Sequence, residues 1–149
     1  MNKLRELKPK WAFAIYIILD ILCIGMGMGV PIFCILLGFP VGLFIVMHIT
    51  TVCNDVQTIL KRSLLYSFVT AFVTLVGMLV IWVPFSTLLF DPGRDLAETG
   101  IPMILYDPLA SFIGWLFLMI LISPFLQFLT TLFGGHLALL TWLKKSVAE

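Results

Sequence analysis

Charge is what this sequence has least of. Asp, Glu, Lys and Arg make up 11% of its 149 residues, against about 25% in an average soluble domain. The 9 basic and 8 acidic side chains nearly cancel, leaving a formal charge of +1. This scarcity excludes the polar outer surface of a soluble enzyme domain and the composition of a disordered tail. The balance excludes the basic face of a nucleic-acid binder. The 3 cysteines are too few and too scattered for a disulfide scaffold. Also missing are a Ser-His-Asp arrangement, a glycine-rich phosphate loop and a zinc-ligand spacing, so no motif points to an enzyme. No internal repeat is evident. What is abundant is apolar: 61% hydrophobic residues and a mean hydropathy of +1.13. The class implied is an integral membrane protein, all-α, with the lipid bilayer as its immediate surroundings.

The few charges bound the apolar runs. Within residues 11–52 the only formally charged side chain is Asp20, and the run is about twice the roughly 20 residues that one helical crossing needs. Two crossings joined by a tight turn fit. The turn belongs at Gly25-Met26-Gly27-Met28-Gly29-Val30-Pro31, because glycine tolerates positive φ and proline suits the first turn of a new helix. The spans expected are about 11–28 and 31–52, then 64–83 with a kink at Pro84, and finally 109–133. Residues 91–108 read as a loop. Gly134-Gly135 should weaken the last helix, leaving His136–Lys145 as a short interfacial helix or a continuation. A cleaved signal peptide does not fit, since a second apolar run follows at once. The fold expected is thus a single-domain four-helix membrane bundle over residues 1–149.

With four spans, the N-terminus, the 53–63 loop and the C-terminus share one side. That side holds Lys3, Arg5, Lys8, Lys10, Lys61, Arg62, Lys144 and Lys145, while the other holds only Arg94. Positive loops stay inside, so both termini are expected in the cytoplasm, with the chain in the inner or plasma membrane. Trp11, Tyr66 and Trp142 at the inner span ends, and Trp82, Tyr106 and Trp115 at the outer ends, read as an interfacial belt. Tyr16, about a turn too deep, is the exception.

Lipid tails are as apolar as leucine, so helix association needs close packing or polar contacts. Ser63, Ser67, Thr70, Thr74 and Gly77 fall at heptad-like spacing on one face of the third span. This reads as a packing seam, or alternatively as the lining of a polar path. Gly38 and Gly42 in the second span have the small-xxx-small spacing of close helix contacts. Between them Pro40 leaves the carbonyl of Leu36 without its helical donor.

Asp20 lies near the middle of the first span, where a charge costs roughly 2.5–3.5 kcal/mol on insertion scales. It is ten residues before Val30 and Pro40 is ten after it, so a turn at Val30 sets the two level. Thr74 is at a similar depth in the third span. The candidate intramembrane polar site is therefore Asp20, Pro40 and Thr74. It reads either as a hydrogen-bonded packing group or as a proton or cation relay.

The remaining candidates are weaker. His48 and His136, at similar depth on the inner side, could ligate a b-type haem, although no motif supports this and no cofactor is expected. Cys23, Met26, Met28 and Cys34 near the outer turn are soft groups suited to Cu(I), or two cysteines within reach of a disulfide. Cys53 reads as a free thiol. Asp91, Asp95, Glu98 and Asp107 around Arg94 lack the spacing of a calcium loop and read as solvated. The basic Lys3–Lys8 segment could lie on anionic headgroups. The function expected is structural or accessory: a small bundle that associates with itself or with larger membrane partners. The alternative is a small transporter or channel subunit using Asp20, and a haem electron carrier is a distant third.

Overall fold

A computed structural model describes residues 9–26, 31–91, 103 and 105–148. Among the described residues every regular element is a helix. Helix α1 (Pro9–Met26) starts on a proline, whose missing N–H costs nothing in a first turn. Helix α2 (Ile32–Ile49) starts directly after Pro31, and the rest of the expected turn, residues 27–30, lies outside the described residues. Pro40 stands inside it without ending it. The hydroxyls of Thr50 and Thr51 close its C-terminus, donating to the carbonyls of Met47 and His48 at 3.1 and 2.7 Å.

Helix α3 (Val56–Trp82) begins eight residues before the span expected at 64. The reason is local. Asp55 is an N-cap whose carboxylate accepts both the backbone N–H and the hydroxyl of Thr58, at 3.0 and 2.6 Å. Those bonds hold the Asp55 carboxyl below the usual aspartate range. The cap is in force above that range and is lost as pH falls through the lowered value. Pro84 does end the α-helix, and a 3-10 helix runs over Pro84–Phe90. Helix α4 (Pro108–Phe117) is capped by Asp107. It passes through a π-helical turn at Leu118–Ile122 into α5 (Ser123–Ala148). Pro124 has no N–H to return to Ile120, and the ladder is reshuffled just ahead of it. Gly134-Gly135 does not weaken α5, which continues through His136 and Lys145.

Among the described residues three stretches are long and apolar enough to cross a membrane: Ile32–Ile49, Val56–Thr87 and Pro108–Ser146. The apolar part of α1, Trp11–Gly25, falls short of that length. The helices alternate in direction. At one end Ile24, Cys34, Met78, Trp82, Phe112, Trp115, Leu116 and Met119 form an apolar cluster. These residues come from the last turns of α1 and α3, the first turns of α2, and α4 with the π-helical turn. At the other end Val46, Ile49, Ile59, Ala138 and Leu139 form a second cluster. The polarity of the molecule is inside out. Asp20, Ser63, Ser67, Thr70, Thr74, Gln127 and Thr131 are buried, whereas Ile18, Phe33, Leu36, Phe68, Val80, Phe125 and Leu140 are exposed. That is the arrangement a bundle adopts when lipid, not water, covers it.

Two corrections to the sequence reading come from this packing. Trp82 and Trp115 are not belt residues: they are buried and meet edge to face, with centroids 4.5 Å apart. Trp11, Tyr66 and Tyr106 are exposed. Residues 92–102, with Asp95, Glu98 and Arg94, lie outside the described residues, as do Met28 and Lys3–Lys8.

The closest helix pair is α2 with α5, and glycine makes it possible. A Cβ on Gly38 would press on the Thr130 hydroxyl and stand 2.6 Å from the Gln127 carbonyl oxygen. One on Gly42 would run into the Thr131 carbonyl and stand 2.9 Å from the Gly135 nitrogen. One on Gly134 would strike the Phe39 carbonyl. The partner atoms are mostly backbone, which cannot swing away. Gly42→Leu should therefore lower thermal stability in detergent or lipid by about 1–3 kcal/mol or more, the range for overpacking. Gly114, with nothing within 4 Å of its missing Cβ, is the control: Gly114→Ala should unfold at or above the wild-type temperature in the same circular-dichroism melt.

Candidate functional site

α1 and α3 run side by side in the same direction. Tyr16 meets Thr70 and Thr74, Asp20 meets Thr74, and Ile24 lies against Gly77. The third-span stripe makes this contact possible. Ser63, Ser67, Thr70 and Thr74 recur at helical spacing and are all buried, so α3 turns its short hydroxyl side chains inward and its leucines and phenylalanines outward. The opposite wall is α5, whose buried Ser123, Gln127 and Thr131 are spaced four apart on one face.

Asp20, 2% exposed, sits where these faces converge. Thr74 Oγ1 donates to Asp20 Oδ2 at 2.8 Å, and Gln127 Nε2 donates to Asp20 Oδ1 at 3.4 Å. Gln127 Nε2 also reaches the Tyr16 hydroxyl oxygen at 3.3 Å. The Tyr16 hydroxyl donates to the Thr70 carbonyl at 2.8 Å and lies 3.0 Å from Thr74 Oγ1. Thr131 and Thr70 donate within their own helices, to Gln127 O and Ser67 O. The network thus ties three helices together through four side chains and one backbone carbonyl.

The candidate residues sort clearly. Thr74 and Asp20 are in contact. Pro40 is not part of this group: its ring is exposed on α2, and the group that faces the carboxyl from across the bundle is Gln127. α5 also bonds the backbone of α2 near Pro40, where Thr130 Oγ1 donates to the Ile35 carbonyl at 2.6 Å, one residue before the Leu36 carbonyl that the proline leaves without a helical donor. Ser67, Thr70 and Thr74 face inward on α3, Gly77 abuts Ile24, and Gly38 and Gly42 abut α5.

Gln127 and Tyr16 are not among the site residues expected from the sequence, yet both carry a signal there. Gln127 is the one carboxamide in a long apolar run, and Tyr16 was the aromatic that did not fit the interfacial belt. Three buried polar atoms along the column have no partner among the described residues: Ser67 Oγ, Ser123 Oγ and Gln127 Oε1. The column is closed by the two apolar clusters, one at each end.

The histidines do not converge. The register that sets Gly42 against Gly135 sets His48 level with Thr141, more than a turn beyond His136. His48 stacks on Phe44 of its own helix, and His136 Nδ1 lies 2.9 Å from the Leu132 carbonyl oxygen. Cys23, Cys34 and Cys53 are free thiols. Among the described residues no group of three or more His, Cys, Asp or Glu side chains is placed to hold a metal ion. Compared with protein-family models, curated proteins and solved structures, the chain matches none.

The network's energetic weight can be measured side chain by side chain. Intramembrane hydrogen bonds average about 0.6 kcal/mol and reach about 1.7 kcal/mol, so Tyr16→Phe should lower stability within that range. Thr74→Val keeps the shape but leaves the carboxyl with only the long amide contact. A buried polar group stripped of its partner costs about 1–3 kcal/mol, so Thr74→Val should be the more damaging. A double-mutant cycle in lipid or detergent should show the pair coupled, with the double variant less destabilised than the sum of the singles.

Proposed function

We propose that the chain is a four-span protein of the cell membrane with both termini in the cytoplasm, and that its role is structural or accessory. In this reading it packs with copies of itself or with larger membrane proteins and catalyses no reaction. One observation carries the reading. Among the described residues Asp20 is the one buried carboxyl, and it is engaged by partners from its own bundle and lies between two apolar clusters, as expected of a group that fixes packing. Conduction would call for an open path.

Other features support it. Helix α1, at 18 residues and about 1.5 Å per residue, is about 27 Å long. That approaches a ~30 Å hydrocarbon core, and α1 packs along α3 in the same direction. The outward faces of the described helices are Leu, Ile, Val and Phe along their length, the kind of surface that lipid or other membrane helices cover. The 8:1 distribution of basic residues supports the orientation.

The second reading, a relay through Asp20 in a small transporter or channel subunit, draws on the unpartnered hydroxyls of Ser67 and Ser123, which extend the polar column beyond the network. Proton flux into liposomes separates the two. The wild-type protein and Asp20→Asn should both leak no faster than protein-free vesicles. Flux through the wild type that disappears in Asp20→Asn would install the relay instead. For topology, alkaline phosphatase fused after Gly100 should be active, and an inactive fusion refutes the orientation.

A further inference from the structure

The hydrogen-bond arithmetic of the network leads to a ligand that heavy atoms do not display. Besides an approach of Thr74 Oγ1 to the Thr70 carbonyl at 3.3 Å within α3, five contacts join the helices: Asp20 Oδ2 with Thr74 Oγ1, Thr74 Oγ1 with the Tyr16 oxygen, Tyr16 with the Thr70 carbonyl, and the Gln127 amide with both Asp20 Oδ1 and Tyr16. With Asp20 ionised the side chains supply four protons, one each from Thr74 and Tyr16 and two from Gln127 Nε2. The Thr70 carbonyl has no proton, so Tyr16 must donate there. Gln127 covers its two contacts. Thr74 can then serve Asp20 at 2.8 Å or Tyr16 at 3.0 Å, and not both. One of these two short contacts becomes a pair of facing lone pairs in a site where Asp20 and Thr74 are 2% and 0% exposed. The carboxylate itself, with room for about four donors, would receive two, one of them at 3.4 Å.

A fifth proton removes the conflict. We propose that Asp20 is a proton-binding site, occupied in the folded bundle, with Oδ2–H donating to Thr74 Oγ1. Thr74 then donates to Tyr16, Tyr16 to the Thr70 carbonyl, and the Gln127 amide spans Asp20 Oδ1 and the Tyr16 oxygen. Every contact between helices then carries one proton, and no oxygen accepts more than two. The 2.8 Å contact between Asp20 and Thr74 simply runs in the opposite sense, which heavy-atom positions do not distinguish.

The surroundings offer the carboxylate no alternative. The titratable groups whose charges reach it are Tyr16 and Cys23 on α1 and Cys34 on α2; these are neutral when protonated and can gain only negative charge. α3 and α5 face it with hydroxyls and an amide. No Lys, Arg or His is among its partners. The bound proton is therefore what lets α1 seat against α3, and removing it breaks one link of the chain between them.

Infrared spectroscopy of the intact protein in lipid reads this directly. Between about pH 6 and about pH 9, where exposed carboxyls are ionised, the wild type should show a carboxylic-acid C=O band. The band should shift on exchange into heavy water and again on labelling aspartate with 13C, and it should be absent from Asp20→Asn. In Thr74→Val it should move to higher wavenumber, as the acid O–H loses its acceptor. Carboxylate bands alone across that range overturn the proposal, and an acid band unmoved by Thr74→Val overturns the assignment of Thr74 as acceptor. If Asp20→Asn does not fold, the labelled wild type decides alone. The site's occupancy stands apart from the structural reading of the bundle, since the infrared band reports the proton and liposome flux reports the function.

Discussion

A carboxyl group in an apolar slab has no water to turn to, so whatever satisfies it must come from the protein. In this chain that requirement falls on Asp20, and the inner half of the bundle is arranged around it. Thr74 holds it from α3, Gln127 reaches it from α5, and Tyr16 of α1 bonds both of those partners. Each of these helices has to present its polar face at the same depth. The requirement fixes rotation as well as depth: turning α3 by one residue would swing Thr74 about 100° away and bring a leucine or valine toward the carboxyl.

Two kinds of adhesion divide the bundle. The α2–α5 pair is held by proximity. Glycines at 38, 42, 134 and 135 let backbone meet backbone, and dispersion over that area supplies the attraction that lipid cannot. The α1–α3 pair is held in its middle by directional polar bonds, with Ile24 against Gly77 one turn beyond. The first kind is insensitive to chemistry and intolerant of volume. The second tolerates volume better and depends on protons and lone pairs being in balance. The contrast follows from composition: α2 and α5 each carry a glycine pair at the crossing, whereas α1 has none there and instead carries the one acid.

Much of this was legible before any coordinates. The apolar runs and their boundaries follow from charge positions, and Asp20 and Thr74 fall at matching depth by counting from the span ends. The inward stripe on α3 follows from its spacing. What could not be read was the choice among partners at equal depth. Pro40 and Gln127 are both candidates along the axis, and only the rotation of α2 and α5 about their own axes decides between them. Sequence spacing sets depth, and packing sets rotation. The α2–α5 crossing consumes the face that holds Gly38 and Gly42, and with that face fixed the ring of Pro40 is left outside. The early start of α3 was missed for a different reason: the span boundary follows hydropathy, whereas the helix boundary follows the Asp55 cap, and polar residues can be helical outside the hydrocarbon. Trp82 and Trp115 were misassigned because depth near a span end suits an interfacial tryptophan and a core one equally.

The depth of the network within the bundle bears on how the polar groups survive there at all. Apolar clusters of large side chains close both ends, Trp82 and Trp115 with Met78 and Met119 at one, Val46, Ile49 and Ile59 at the other. Between them the interior is narrow because its residues are Ser, Thr and Gly. A hydrogen bond in such a dry, low-dielectric interior is stronger than in water, and an unpaired group is correspondingly more costly. The same enclosure that makes each contact worth having therefore makes a missing proton expensive. This is why a network of four side chains and one carbonyl, if it is to hold α1 against the rest, has to be complete.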